Sequence, residues 1–335
     1  MSTPGHSLVA DSVSRLLHGV GVAADDFDAT WSKVTQLSLE TLLIAESAGG
    51  FGGTWRDLFE AQREIGRAAS FLPLGEAILA SRARSIAGFA SLQGFGSIAF
   101  ECRGSLEKST FCGTLSNIPW GRRAAWVICM SADGRWIQLP TAPAQLFESV
   151  NLAGEPRDTL TFADTPCQLS PLQETGLRIG ELGVLMRLGQ ISGALETALA
   201  MTTEHVRSRI QFGKPIGSFQ AVQQQLAVFA GEVSAASCAA RAACATLDQD
   251  CSTDVCGYVV AAAKIRANMA IGVATATAHQ LHGAIGFTEE YHLHRLTRRL
   301  WSWRTELGND RYWAARLGAY VAGRGADSLW SDVSR

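Results

Sequence analysis

Residues 201–230 read MTTEHVRSRIQFGKPIGSFQAVQQQLAVFA. The run closes one helical pattern, turns on Gly213 and Pro215, and opens a second helix rich in Gln and Ala. Pro215 is the only proline beyond Pro171; the other eight of nine lie at or before that position. A proline inside a helix costs about 3 kcal/mol, so the second half can form long helices and the first half cannot.

Upstream of the turn, Leu177–Ser208 has the period of one long helix, with Leu182, Leu185, Met186, Gly189, Gly193 and Ala194 on or near one stripe. Gly189 and Gly193, four apart, permit another helix to approach closely. Downstream, Ser218 is placed to cap a helix running to about Leu247. Ser252 or Thr253 opens another, with Asp254 near its positive end, closing near His282-Gly283. Arg311–Val321 reads as a last short helix, and Arg209–Ser218 as a loop.

Toward the N-terminus, residues 8–48 and 54–86 carry helical spacing (Leu39, Leu42, Leu43, Glu46; then Leu58, Ala61, Ile65, Ala68) around a glycine turn at 48–54 that Thr54 can cap. From about Phe89 to Cys167 the period changes. Ala125–Met130 and Trp136–Leu139 flank Asp133-Gly134, a strong hairpin signal, and Thr159-Leu160-Thr161-Phe162 alternates. The expected organisation is an α+β chain: an N-terminal helical domain (1–88), a small middle β domain (89–170) and a C-terminal helical bundle (171–335).

The chain has 335 residues, 47% apolar and 18% charged, which excludes disorder and low complexity. Lys plus Arg (29) nearly balances Asp plus Glu (31), leaving a net charge of -2, so no nucleic-acid partner is expected. No basic start followed by an apolar run opens the chain. The longest mostly apolar tracts, Tyr258–Ala263 and Met269–Ala278, fall short of ~18 residues or carry Thr and Gly. The eight cysteines form no CxxC pair and read as reduced thiols. A cytoplasmic protein without a membrane segment or disulfides is expected. The Ala-rich helices at 222–246 and 259–278 offer water little polar surface, and self-association is the expected remedy.

Arg207 and Arg209 stand at a helix end beside an aromatic, a glycine and a proline. Arginine forks suit phosphate oxygens, and a helix end also favours cations as such. His279 and His282, with His292 and His294, lack a carboxylate or Cys to complete a ligand set, so no metal is expected. Arg295, Arg298, Arg299, Trp301, Trp303 and Arg304 read as a helix face with its Trp packed inward rather than a nucleic-acid site.

Taken together, Arg209-x-Gln211-Phe212-Gly213-Lys214-Pro215-Ile216-x-x-Phe219-Gln220-x-x-Gln223 resembles the acyl-CoA dehydrogenase signature, and His279-Gln280-Leu281-His282-Gly283-Ala284-Ile285-Gly286-Phe287 resembles that family's Gln-x-x-Gly-Gly-x-Gly segment. The segment 46–86, with Glu46, Gly49, Gly50, Gly52, Glu64 and Gly66, is similar to the family's N-terminal domain. The resemblance implies a helical domain, a middle β domain and a C-terminal four-helix bundle, in homo- or hetero-tetramers that bind FAD across subunits. It implies α,β-dehydrogenation of an acyl-CoA thioester, electrons passing to an electron-transfer flavoprotein.

Carried over, Arg209 would contact the FAD pyrophosphate, and Gln211 and Phe212 would line the adenine nucleotide with Phe219 and Gln220 alongside. Gln280, His282, Gly283 and Ala284 would approach the adenosine side from a neighbouring subunit. The sequence departs from the pattern in several places. The family's Thr-Glu-Pro-x-x-Gly-Ser-Asp stretch has no counterpart between Ala90 and Met130, where Glu101–Ser105 is the nearest polar turn. The Asp/Arg pair expected near the acyl-CoA reads Glu181-Leu182-Gly183-Val184, and Ala284 replaces a glycine.

The reaction needs a carboxylate to take the α-proton. An ungapped overlay of the family's Tyr-Glu-Gly-Thr segment puts Leu307 on the base; a one-residue slip puts Glu306 there. The alternative position on the long helix holds Gly183. Glu306 is the candidate base, with a structural role pairing Arg304 or Arg299 as its rival. The second functional reading is a catalytically silent subunit of a heteromeric acyl-CoA dehydrogenase.

Overall fold

The computed structural model describes residues 8–18, 27–90, 92–172, 179–249 and 252–333. Helix α1 (Leu8–His18) and α2 (Phe27–Gln36) lead through two single 3₁₀ turns into α3 (Trp55–Arg67) and α4 (Leu74–Ile86). Thr54 caps α3: its hydroxyl accepts from the Asp57 N–H, and Asp57 accepts from the Thr54 N–H in return. The periodic stretch 54–86 is two helices rather than one. Ala69 takes a φ of +46° and Pro73 precedes α4, so the chain turns there.

The middle region is two four-stranded sheets. One has the order β1 (Gly96–Ile98), β4 (Trp126–Met130), β5 (Trp136–Pro140), β8 (Gln168–Leu169). The other runs β2 (Glu101–Glu107), β3 (Thr110–Pro119), β7 (Arg157–Pro166), β6 (Gln145–Phe147). Strands β4 and β5 form the expected hairpin around Gly134, pairing Met130 with Trp136 and Trp126 with Pro140. In β7, Leu160 and Phe162 point inward while Thr159 and Thr161 are half-buried, as the alternation requires.

Three long helices, α5 (Ile179–Ser208), α6 (Gln220–Leu247) and α7 (Thr253–His282), build the C-terminal bundle, completed by α8 (Leu293–Thr305), α9 (Asp310–Arg324) and α10 (Ala326–Val333). A hairpin of β9 (Ile210–Gln211) and β10 (Lys214–Pro215) stands where a plain loop was expected. Ser218 does not cap α6: its hydroxyl donates to the Pro215 carbonyl, and Phe219 takes the cap position. Ser252 does cap α7.

Glycine lets α5 lie directly on α3. A Cβ on Gly193 would overlap the Arg63 carbonyl oxygen, and one on Gly66 the Gln190 carbonyl oxygen. Beside this contact Glu196 takes Arg63 at 2.9 Å and Arg67 at 2.7 Å. Asp248, at the end of α6, accepts from the first N–H groups of α3, Trp55 at 2.7 Å and Arg56 at 3.1 Å. The N-terminal helices and the bundle are therefore one packed body.

Two further expectations need correction. Cys256 is disulfide-bonded, so the cysteines are not all thiols. On α8 only Trp303 packs inward, at 1% exposure; Trp301 faces outward at 42% under the Arg304 guanidinium. By length and composition alone, α6 and the segment 253–287 would pass for membrane spans. Helix α7 buries much of its length against α6 and α5, whereas α6 leaves Ala227, Val228, Ala235 and Ala242 exposed, an apolar face of the kind that self-association covers.

Candidate active site between the sheets and the bundle

A cavity of about 580 Å³ lies where the two sheets meet the bundle. Phe100, Asn117, Asn151 and Arg157 line it from the sheet side; Arg187, Glu306, Leu307 and Tyr312 line it from the helices. The turn carrying Glu306 and Leu307 is held from several directions. Lys264 and Asn268, one turn apart on α7, donate to the last carbonyls of α8, Trp303 at 2.6 Å and Arg304 at 3.2 Å. Leu307 (φ +60°) and Gly308 (φ +109°) reverse the chain, Trp313 donates to the Leu307 carbonyl, and Asn309 caps α9. Lys264 is wholly buried, and burial together with the Arg187 charge lowers its pKa to about 7.

Glu306 is the carboxylate on this cavity whose environment is most distinctive. One oxygen accepts from Asn151 at 2.8 Å and from Arg157 Nε at 3.1 Å; the other accepts from Arg157 Nη2 at 3.2 Å and pairs with Arg187 Nη2 at 3.0 Å. Burial alone would raise its pKa, but the charge of Arg157, then that of Arg187, and the hydrogen bonds hold it at about 2. The network runs on. Arg157 also pairs with Glu155 at 2.9 Å, which accepts from the Trp303 indole at 3.0 Å, and Arg187 also pairs with Glu76 of α4 at 3.2 Å. Glu306 does not pair with Arg304, which instead holds Asp310 at 2.6 Å, nor with Arg299, which faces Glu155.

The two other positions at which a base could stand are apolar. Leu307 approaches Gly183, where a Cβ would lie 2.9 Å from the leucine Cδ1 and 2.5 Å from the Phe100 ring. Neither position carries a proton acceptor.

The cofactor candidates gather elsewhere, at one end of the bundle. Arg209 is exposed just beyond α5, and Phe212 (φ +53°) with Gly213 (φ +78°) forms the hairpin tip, the Phe212 ring 90% exposed. Phe219 sits edge-on to Phe212 with the Lys214 ammonium 4.4 Å above its ring. Gln211, Gln220 and Gln280 are exposed. His205 near the end of α5 stacks on His282 at the end of α7, ring centroids 4.5 Å apart, so both motifs come to the same surface of a single chain. The His282 ring is buried and spent internally, on the Ala278 carbonyl at 2.7 Å and the Tyr291 hydroxyl at 3.1 Å, leaving a ligand only the backbone there. Gly283 (φ +64°) has open space where a Cβ would stand, and Ala284, exposed, needs no positive φ, which explains why alanine is accepted in place of glycine. None of these residues lines the 580 Å³ cavity.

Residues 182–318 match the family model for the C-terminal domain of acyl-CoA dehydrogenases. Along a longer stretch, 307 residues are 27% identical to the acyl-CoA dehydrogenase FadE34 of Mycobacterium tuberculosis, covering 88% of this chain and 42% of that protein. The chain is similar to the acyl-CoA dehydrogenase family, and its residues 182–318 match that family's C-terminal domain. This acyl-CoA dehydrogenase homologue thus spans less than half of FadE34, but 77% of IpdE2 of the same organism, at 28% identity over 272 residues and 79% of this chain. Its fold is that of the family: it overlays the crystal structure of the M. tuberculosis ChsE4–ChsE5 complex with a TM-score of 0.84 and 20% identity, covering 97% of this chain and 99% of that one. A steroid acyl-CoA dehydrogenase, Tcur3481–Tcur3483, overlays with a TM-score of 0.82 at 22% identity, covering 94% and 97%.

Sequence reading missed Asn151, Arg157 and Arg187. A signal for one of them exists: Arg187 is a lone charge within the apolar run Val184–Leu188, and a buried charge demands a partner.

Proposed function

We propose that this chain is one subunit of a heteromeric, FAD-dependent acyl-CoA dehydrogenase, in which it contributes to the cofactor site and the assembly while a partner subunit contributes the base. The observation that carries this reading is the state of the cavity. Glu306 has both oxygens committed to two guanidiniums and an amide, and Leu307 and Gly183 stand at the alternative base positions. A base works best when its pKa lies near the operating pH, and a carboxylate held at about 2 is far from that range.

The exposed surface at the other end fits a dinucleotide held mainly by another subunit. Arg209 offers a guanidinium fork to the pyrophosphate, Phe212 an exposed ring to the adenine, and Gly283 a backbone that a ligand can approach closely. Gln211, Gln280 and Gln220, exposed as well, offer amide donors and acceptors, and the substrate is an acyl-CoA thioester. FAD, when bound, supplies the acceptor for the hydride leaving the β-carbon of the thioester. Electrons then pass to an electron-transfer flavoprotein. The two structural neighbours, ChsE4–ChsE5 and Tcur3481–Tcur3483, are each a pair of proteins, which supports a paired assembly.

The test is to purify the chain alone and together with a dehydrogenase-like chain encoded beside it, and to measure the visible flavin band and acyl-CoA turnover. Flavin and turnover are expected in the pair. A chain that stays colourless in every pairing refutes the flavin reading, and full turnover by the chain alone refutes the division of labour.

A further inference from the structure

The end of the bundle that carries the cofactor motifs also holds a pair of imidazoles that the reaction does not use. His205 lies in the last turn of α5 and His282 in the last turn of α7, and their rings stack at 4.5 Å with 25° between the planes. Each ring is tied through the backbone to one half of the candidate cofactor surface. The His205 carbonyl accepts from the Arg209 N–H at 2.9 Å, and the Arg209 carbonyl accepts from the Ile216 N–H at 2.9 Å, across the foot of the hairpin. His282 immediately precedes Gly283, whose φ of +64° and open Cβ side let a ligand come close to the backbone. The stack is thus a side-chain link between α5 and α7 at the level of both motifs.

We propose, on the cofactor reading above, that His205 is a positioning residue: stacked as a neutral ring on His282, it holds Arg209 and Gly283 in place for the dinucleotide, and its protonation in mild acid releases that hold. The bonding fixes which state is at rest. A carbonyl only accepts, so the contact of His282 Nδ1 with the Ala278 carbonyl at 2.7 Å places a hydrogen on Nδ1. Nε2 then keeps its lone pair and accepts from the Tyr291 hydroxyl at 3.1 Å. Neutral His282 is satisfied at both nitrogens, and a further proton on Nε2 would face the Tyr291 O–H until that hydroxyl turned. His282 is buried, whereas His205 is half-buried, so His205 is the ring that solvent protons reach first. A proton there puts a cation 4.5 Å from the His282 ring.

The surrounding groups decide the sign. Glu204 comes from α5 and Arg209 from just beyond it, His279 from α7, Tyr291 from the segment before α8, and His294 from α8. The last turn of a helix favours a cation, which would raise both imidazoles. Burial works the other way, and at His205 the charges of His282 and Arg209 add to it, so the ring titrates below its ordinary 6.5. Burial also lowers His282, against its bond to the Ala278 carbonyl, and lowers His279, with His282 and His294 adding to it. Glu204, the acid of the set, is exposed, and its charge reaches the Tyr291 hydroxyl, which burial and that charge raise. A depressed imidazole is neutral at and above 6.5 and takes its proton only below, so the stack is complete at neutral pH and is lost as the pH falls.

The test follows flavin retention by the assembled complex from about pH 7.5 to about pH 5, by fluorescence after gel filtration, for wild type, His205→Phe and His205→Ala. Only the neutral stack is competent, so the apparent dissociation constant is expected to rise as the neutral fraction falls, by up to about tenfold per pH unit once the ring titrates. His205→Phe keeps a stacking ring and takes no proton; it is expected to retain flavin at neutral pH and to lose the acid release. His205→Ala is expected to retain flavin poorly at every pH. Equal acid release in wild type and His205→Phe overturns the proposal, and so does tighter binding in acid, the result if a protonated ring only attracted the diphosphate. A wild-type complex that is colourless at neutral pH refutes the cofactor reading and the positioning with it. Urea unfolding reads the stack without flavin: wild-type stability is expected to fall more steeply than that of His205→Phe from about pH 7 to about pH 5, and equal slopes overturn the neutral stack. Where the variant does not fold, proton NMR of the wild-type histidines decides, and a His205 ring titrating at or above 6.5 overturns the proposal.

Discussion

Replacing Glu306 by Gln separates a clamp from a base. The carboxylate joins α8 to the sheets through Arg157 and Asn151 and to α5 through Arg187, and the two arginine side chains are 9% and 3% exposed. Its pKa falls from 4.5 unfolded to about 2 folded, which corresponds to about 3 kcal/mol of stability at neutral pH. The sign is that of a depressed acid: the contribution is complete above pH 4.5 and is lost as the pH falls through about 2. The amide keeps the shape and removes the charge, leaving two buried guanidiniums with less compensation. Urea unfolding of the wild type and Glu306→Gln at neutral pH is therefore expected to differ by about 3 kcal/mol, and the gap is expected to narrow below pH 4.5. Turnover of the assembled enzyme is expected to stay within a few-fold of wild type once the complex is saturated. Removing a working base costs about 10²–10⁴-fold. Unchanged stability together with a turnover loss of that size would refute the clamp and make Glu306 the base.

Three other substitutions test separate parts of the argument. Gly193→Ala forces a methyl group against the Arg63 carbonyl, where backbone must move, and is expected to lower stability by about 1–3 kcal/mol in thermal unfolding; an unchanged melt contradicts the close α3–α5 packing. Lys264, with its pKa lowered from 10.5 to about 7, binds fewer protons folded than unfolded between those values, so its term makes stability rise with pH across that window. Lys264→Met is expected to flatten that rise in urea melts between pH 7 and pH 10; an equal slope in both proteins shows that the lysine is not the source. Arg209→Ala, at an exposed position, is expected to leave the melting temperature unchanged while flavin retention by the assembled complex drops about tenfold or more, as measured by absorbance after gel filtration. Full flavin retention removes the guanidinium from the cofactor site.

The secondary structure was legible where local chemistry decides it. Thr54 and Asp57 are three apart and cap the same helix, Asp133-Gly134 turns a hairpin, and Gly189 and Gly193 mark the seam on which α3 lies. The candidate site was legible only where its chemistry is local. Arg209, Phe212 and Gly213 lie within five residues of one another, and all three are exposed, Arg209 just before the hairpin and the other two at its tip. Glu306 is different, because what a carboxylate does depends on its partners. Those partners, Asn151, Arg157 and Arg187, come from a loop, a strand and a helix at least 119 residues away in sequence, and no spacing around position 306 announces them. A linear overlay separates Glu306 from Leu307 by a single residue, and the backbone turns that step into opposite environments. Glu306 caps α8 in extended geometry and faces the arginines; Leu307, in the left-handed region, approaches Gly183 and Phe100. The signal was present in the partners rather than in the acid. Arg187 within Val184–Leu188, and Glu76 among the apolar residues of α4, are charges that cannot be buried alone, and Glu306 completes the set that compensates them.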